Sequence, residues 1–95
     1  MDRKDLWKKL SGSINYYIKR IWRTELLRDS NQLCDEYISY LVGNKKPYLY
    51  LDKRTNQLIE LTDDDIYIIR QEFIKRIENK RIKYSSELSI LEEAF

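Results

Sequence analysis

The chain has no histidine, one cysteine, one proline and two glycines among its 95 residues. Without histidine it lacks the commonest general base and metal ligand. Gly12 and Gly43 stand alone, so no glycine-rich loop is present to cradle a phosphate. Cys34, the single thiol, rules out a disulfide or a thiolate metal cluster within one chain, and with Asp35 beside it and no base close before it, its expected role is buried packing. The one acidic cluster, Asp63-Asp64-Asp65, falls where a helix start uses negative charge. These absences lead us to expect no enzyme, no cofactor and no metal site.

Long apolar runs are also missing. No segment approaches the ~18 residues needed to cross a bilayer. The N-terminus alternates charged with apolar residues and never offers the apolar run of a signal peptide, about 7–15 residues long. The expected location is therefore cytoplasmic, with a membrane surface the least favoured partner.

Neither sign of charge dominates, since the formal net charge is +2, so the global field that marks a strong nucleic-acid binder is absent. Locally, however, the charge is banded. Residues 1–28 carry eight bases against three acids, residues 29–44 carry only Asp29, Asp35 and Glu36, and residues 73–83 are basic again.

What is present is a 42% hydrophobic chain with 13% aromatics, too apolar for disorder despite being 36% charged. A chain of this size buries roughly 60–68% of its unfolded surface, enough for one modest core. A single domain over 1–95 follows. Twelve isoleucines, ten lysines, eight tyrosines and five asparagines beside one alanine reflect AT-rich codons, as in a small protein of an AT-rich bacterium or of a phage or plasmid that lives in one.

The periodicities predict a mainly helical α+β fold. Leu6, Trp7 and Leu10 share one side of a short first helix, and Ser11-Gly12-Ser13 is expected to break or bend it. Ile14, Tyr17, Ile18 and Ile21 then recur at helical spacing. The apolar face shifts for Leu26, Leu33, Tyr37 and Tyr40, which places a second break near Asp29-Ser30-Asn31, with Asp29 and Gln32 at capping-box spacing. A single helix over 13–42 is the alternative, so two to three helical segments precede the Gly43-Asn44 stop.

A hairpin is expected over about 48–61. Its strands are Tyr48-Leu49-Tyr50-Leu51 and Leu58-Ile59-Glu60-Leu61, joined by a type I turn with Asn56 left-handed. Capped by Thr62 or Asp63, a long helix over about 63–93 closes the chain. Its stripe is Ile66, Ile69, Phe73, Ile77, Tyr84, Leu88, Leu91 and Phe95, in which Ile66 and Tyr84 are 18 residues, or five turns, apart. At roughly 45 Å the helix outruns a globule of this size. The overhang calls for a partner, either a second copy or another protein.

Two kinds of binding follow. The first is docking onto a larger protein as an inhibitor or regulator, in its concrete version a phage or mobile-element protein directed at a host or defence enzyme. It would use Tyr48 and Tyr50 on one face of the hairpin, Lys53 and Arg54 at its tip, and Arg76, Lys80, Arg81 and Lys83 on the last helix. The tyrosines are exposed if Leu49 and Leu51 face the core; the opposite orientation is equally weighted. The second is a small DNA- or RNA-binding regulator of winged-helix type, dimeric through the last helix. It would use Lys8, Lys9, Lys19, Arg20 and Arg23, interleaved with Trp7, Tyr16, Tyr17 and Trp22. The segment in the recognition-helix position, 30–42, is acidic, which counts against the second reading.

Overall fold

The computed structural model describes the backbone of residues 2–25 and 28–94 and the side chains of 2–22 and 28–83. Helix α1 spans Arg3–Glu25, α2 Ser30–Val42 and α3 Asp63–Ala94, with strands β1, Tyr48–Asp52, and β2, Gln57–Leu61, between α2 and α3. The architecture is α+β, mainly helical, with one antiparallel hairpin and a long final helix. Leu26 and Phe95, with the side chains of Arg23, Tyr84, Leu88 and Leu91, fall outside the described residues.

Helix α1 runs unbroken through Ser11-Gly12-Ser13, where a break or bend was expected. Leu6, Leu10, Ile14 and Ile18, spaced by four, are all buried, so one apolar stripe continues across the small residues. Neighbouring elements also hold the segment in place. Arg76 of α3 donates from Nη1 to the Ser11 carbonyl (2.9 Å) and from Nη2 to its hydroxyl (2.8 Å). The Tyr37 hydroxyl of α2 lies 3.0 Å from Ser13 Oγ. Glycine in a helix interior costs about 1 kcal/mol against alanine, less than these contacts and the continuous burial supply together.

The second break is where the sequence places it. Asp29 caps α2, its Oδ1 accepting from the backbone N–H of Asn31 (2.8 Å) and Gln32 (3.1 Å). At the other end Gly43 takes φ +82° and donates to the Ser39 carbonyl (2.9 Å), a conformation an L side chain resists.

The hairpin pairs Tyr48 with Leu61, Tyr50 with Ile59 and Leu51 with Leu58. Asp52 organises its turn, accepting from Arg54 N–H (3.1 Å) and the Thr55 hydroxyl (2.9 Å) while its carbonyl accepts from Asn56 N–H (2.7 Å). Asn56 is left-handed at φ +60°, as the turn requires.

The core is a three-helix seam with the hairpin laid across one side. Tyr37 stacks on Phe73 with ring centroids 4.9 Å apart, and Tyr17 of α1 tilts against both at 5.0 and 6.0 Å. Around them are buried Leu33, Cys34, Leu61, Ile69 and Ile77. The 32 residues of α3 extend for roughly 48 Å at 1.5 Å each, which matches the elongated 53 × 23 × 20 Å molecule.

A Cβ placed on Gly12 meets nothing within 4 Å, and the residue sits in regular helix. Gly12→Ala is therefore expected to stabilise the protein by about 0.5–1 kcal/mol. Thermal melting by circular dichroism checks this; an unchanged or lowered Tm would mean that the chain needs the glycine's freedom.

Candidate functional site

The hairpin reverses the orientation that would expose its tyrosines. Tyr48, Tyr50 and Ile59 turn inward and pack on the core, and burial raises the Tyr50 phenol pKa. Leu49, Leu51 and Leu58 point outward at 40, 41 and 63% exposure. The tyrosine rings offer more apolar area to the core than the leucines do. Tyr48 and Tyr50 are thus half-buried packing residues rather than an exposed pair.

The bases of α3 are likewise drawn inward. Besides Ser11, Arg76 reaches Asn15 Oδ1 (2.9 Å) and Glu72 (2.9 Å), so its guanidinium is spent on the α1–α3 joint. Arg81 donates to Ser30 Oγ (2.7 Å) and to the Arg28 carbonyl, tying α3 to the start of α2. Lys80 Nζ lies 5.1 Å above the Trp22 ring, a cation–π contact. Lys83 is exposed, as is Lys75 on the same helix.

The charge bands also meet one another. Asp35 of α2 pairs with Arg70 of α3 (2.6 Å), Glu36 with Arg28 (2.5 Å), and Lys46 with Asp63 (2.9 Å). Lys9 bonds Asp52, so this base from the α1 group anchors the hairpin turn. Arg3 bonds the buried Asp65. Lys8, Lys19 and Arg20 remain exposed on α1, with the Arg20 guanidinium 5.8 Å from the Tyr16 ring centroid.

Lys53 and Arg54 are exposed at the hairpin tip. There they border a groove of about 720 Å³ between the hairpin, Gly12–Tyr16 of α1 and the end of α2. Tyr16, Tyr40, Leu41 and Leu51 give the groove an apolar lining, with Tyr16 60% and Tyr40 59% exposed. Sequence reading missed this site because its members come from three separate segments. The signal available was Tyr16, which stands off the buried stripe of α1; Tyr40, expected on the apolar face with Leu33 and Tyr37, is exposed instead.

Cys34 is fully buried, its Sγ 3.9 Å from the Arg70 carbonyl, and burial pushes its pKa up to about 11. A thiol in that state is a packing group. Burial likewise pushes Tyr37 up to about 12. Among the described residues, no three His, Cys, Asp or Glu side chains come together as a metal site, and no helix is long and apolar enough to cross a membrane.

Asp65 closes the start of α3. Its Oδ2 accepts from Thr62 N–H (2.9 Å) while Asp65 N–H donates to Thr62 Oγ1 (3.1 Å), a reciprocal capping box. Burial alone would raise this carboxyl, but the hydrogen bonds from Arg3 and Thr62 outweigh it and hold the pKa below the ordinary value.

No protein-family model matches the chain, and no solved structure does. A Clostridium perfringens protein recorded as an uncharacterised product, ORF9, is 46% identical over 78 residues. The match takes in 80% of this chain and 66% of that protein, so the chain spans just under two thirds of the relative's length. The relative's name states no activity.

The lowered carboxyl of Asp65 sets a pH dependence. A folded pKa below the unfolded ~3.9 gives stabilisation that is complete above the unfolded value and lost as pH falls through the folded one. Asp65→Asn should cost about 1–3 kcal/mol at neutral pH and flatten the acid side of a Tm-against-pH curve. Parallel acid limbs in wild type and variant would contradict this.

Proposed function

We propose that this is a non-enzymatic protein that docks onto a larger protein, as an inhibitor or regulator. The outer face of the hairpin is the observation that carries this reading. On a sheet with one side packed and one side in water, the outward positions should be polar. Here Leu51 and Leu58 are cross-strand partners and Leu49, opposite Glu60, lies two residues along the same face, so three of the four outward positions are exposed leucines. Scattered exposed leucines are ordinary; a contiguous apolar face marks an interaction surface. Lys53 and Arg54 at the tip add positive charge beside it. A protein encoded by a phage or mobile element and acting on a host or defence enzyme is the concrete form of the proposal, supported by the AT-rich composition and the bacterial relative.

A second reading, a small nucleic-acid-binding regulator, draws on α1, where Lys8, Lys19 and Arg20 are exposed beside Tyr16. It requires affinity for duplex or single-stranded DNA that falls steeply with salt. Acidic residues do not interrupt that face between Asp5 and Glu25.

Exposed-surface changes typically alter stability by within about 0.5 kcal/mol, so Leu49→Asp/Leu58→Asp should fold normally. Crosslinking in the producing bacterium, read by mass spectrometry, should show a defined protein captured by the wild type and depleted at least about tenfold with the variant. Equal capture by the two would remove the hairpin face as the docking surface. Retention on DNA at low salt, lost with Lys19→Glu/Arg20→Glu, would transfer the function to the second reading.

A further inference from the structure

The tyrosine-lined groove and the far end of α3 have complementary chemistry. At the groove mouth Lys53 and Arg54 add two positive charges beyond the Lys9–Asp52 pair, over a lining that includes Tyr16, Tyr40 and Leu51. Residues 84–95 carry Glu87, Glu92 and Glu93 and no base, with Leu88, Leu91 and Phe95 at helical spacing. An acidic helix with an apolar stripe is the kind of segment that such a groove takes: side chains enter the cavity and carboxylates meet the rim. A cavity of about 720 Å³ has room for a few side chains, not for a domain.

The chain's own end does not reach this groove. Helices α1 and α3 run in the same direction, shown by the contacts of Arg3 with Asp65, Ser11 with Arg76 and Trp22 with Lys80. The groove therefore lies level with Arg76, and because the backbone stays helical to Ala94 the last turns lie up to roughly 27 Å further along the axis. Lys80 and Arg81 still reach α1 and the start of α2.

We propose that residues 84–95 of one copy occupy the groove of a second copy, and the reverse, in a closed two-fold dimer. Reciprocal exchange is what closes the assembly; a one-way contact would propagate into a chain of molecules. This assembly goes beyond the docking function and shares Leu51, Lys53 and Arg54 with the hairpin surface, whereas Tyr16 and Tyr40 belong to the groove alone.

The test is light scattering coupled to size exclusion on the full chain from micromolar to near-millimolar concentration, where a dimer has twice the 11.7 kDa chain mass. Lys53→Glu/Arg54→Glu and Glu92→Lys/Glu93→Lys are each expected to weaken dimerisation at least about tenfold, and the two reversals combined in one chain to restore most of it. Tyr16→Ala/Tyr40→Ala should weaken it without lowering the helical circular-dichroism signal. A dimer indifferent to the rim reversals would overturn the proposal in favour of simple pairing of the α3 stripes. A monomer at every concentration would also overturn it, and if short oligothymidine then bound and was lost with Tyr16→Ala/Tyr40→Ala, the groove would belong to nucleic acid.

Discussion

Tyr37 is the residue on which the three helices converge. Its ring has no exposed surface, stacks on Phe73 of α3, meets Tyr17 of α1, and places its hydroxyl against Ser13. Each such aromatic pair contributes about 0.5–1.5 kcal/mol beyond the area it buries. The hydroxyl imposes a stricter condition, because a buried polar group without a partner costs more than a made bond gains. A hydroxyl is therefore required where α1 passes the Tyr37 ring tip, and Ser13 supplies it; Gly12, with open space around it, is not called for by this packing.

Arg76 meets the same segment from the other side. A guanidinium offers five donors in a rigid fork, and four of its contacts here go to Ser11, Asn15 and Glu72. Lysine, as a single point of charge, does not reproduce that set. The register of α1 along α3 is thus fixed by directional polar contacts as well as by the apolar seam. The surface ion pairs at Asp35–Arg70 and Glu36–Arg28 are partly exposed and add little energy, each about 0–1 kcal/mol.

Most of the fold was legible because its signals are local. The Asp29 cap, the Gly43 stop, the turn with Asn56 left-handed and the span of α3 each depend on a few adjacent residues, and the structure has all of them. The continuity of α1 was legible too, in the spacing of Leu6, Leu10, Ile14 and Ile18, but the local weight of Ser-Gly-Ser concealed it. The orientation of the hairpin was not legible. Alternating Tyr-Leu-Tyr-Leu offers two apolar faces, and the choice depends on what the helices present to it. The same applies to Arg76 and Arg81, whose sequence neighbours say nothing of the serines they bind across the fold.

Internal pairing of the charge bands decides which surfaces remain for recognition. A basic run reads as a binding patch only while its partners are unknown, and here Arg70, Arg76 and Arg81 are engaged by α1 and α2. Among the surfaces that packing leaves outside are the leucine-rich outer face of the hairpin and the groove beside it, lined by Tyr16, Tyr40 and Leu51 with Lys53 and Arg54. Flat apolar faces suit broad protein contacts whose affinity comes from excluded water, whereas a concave site with a charged rim selects one helix among many by the sign and spacing of its side chains. Both surfaces meet at Leu51, so a molecule bound on one of them alters the solvent exposure of the other.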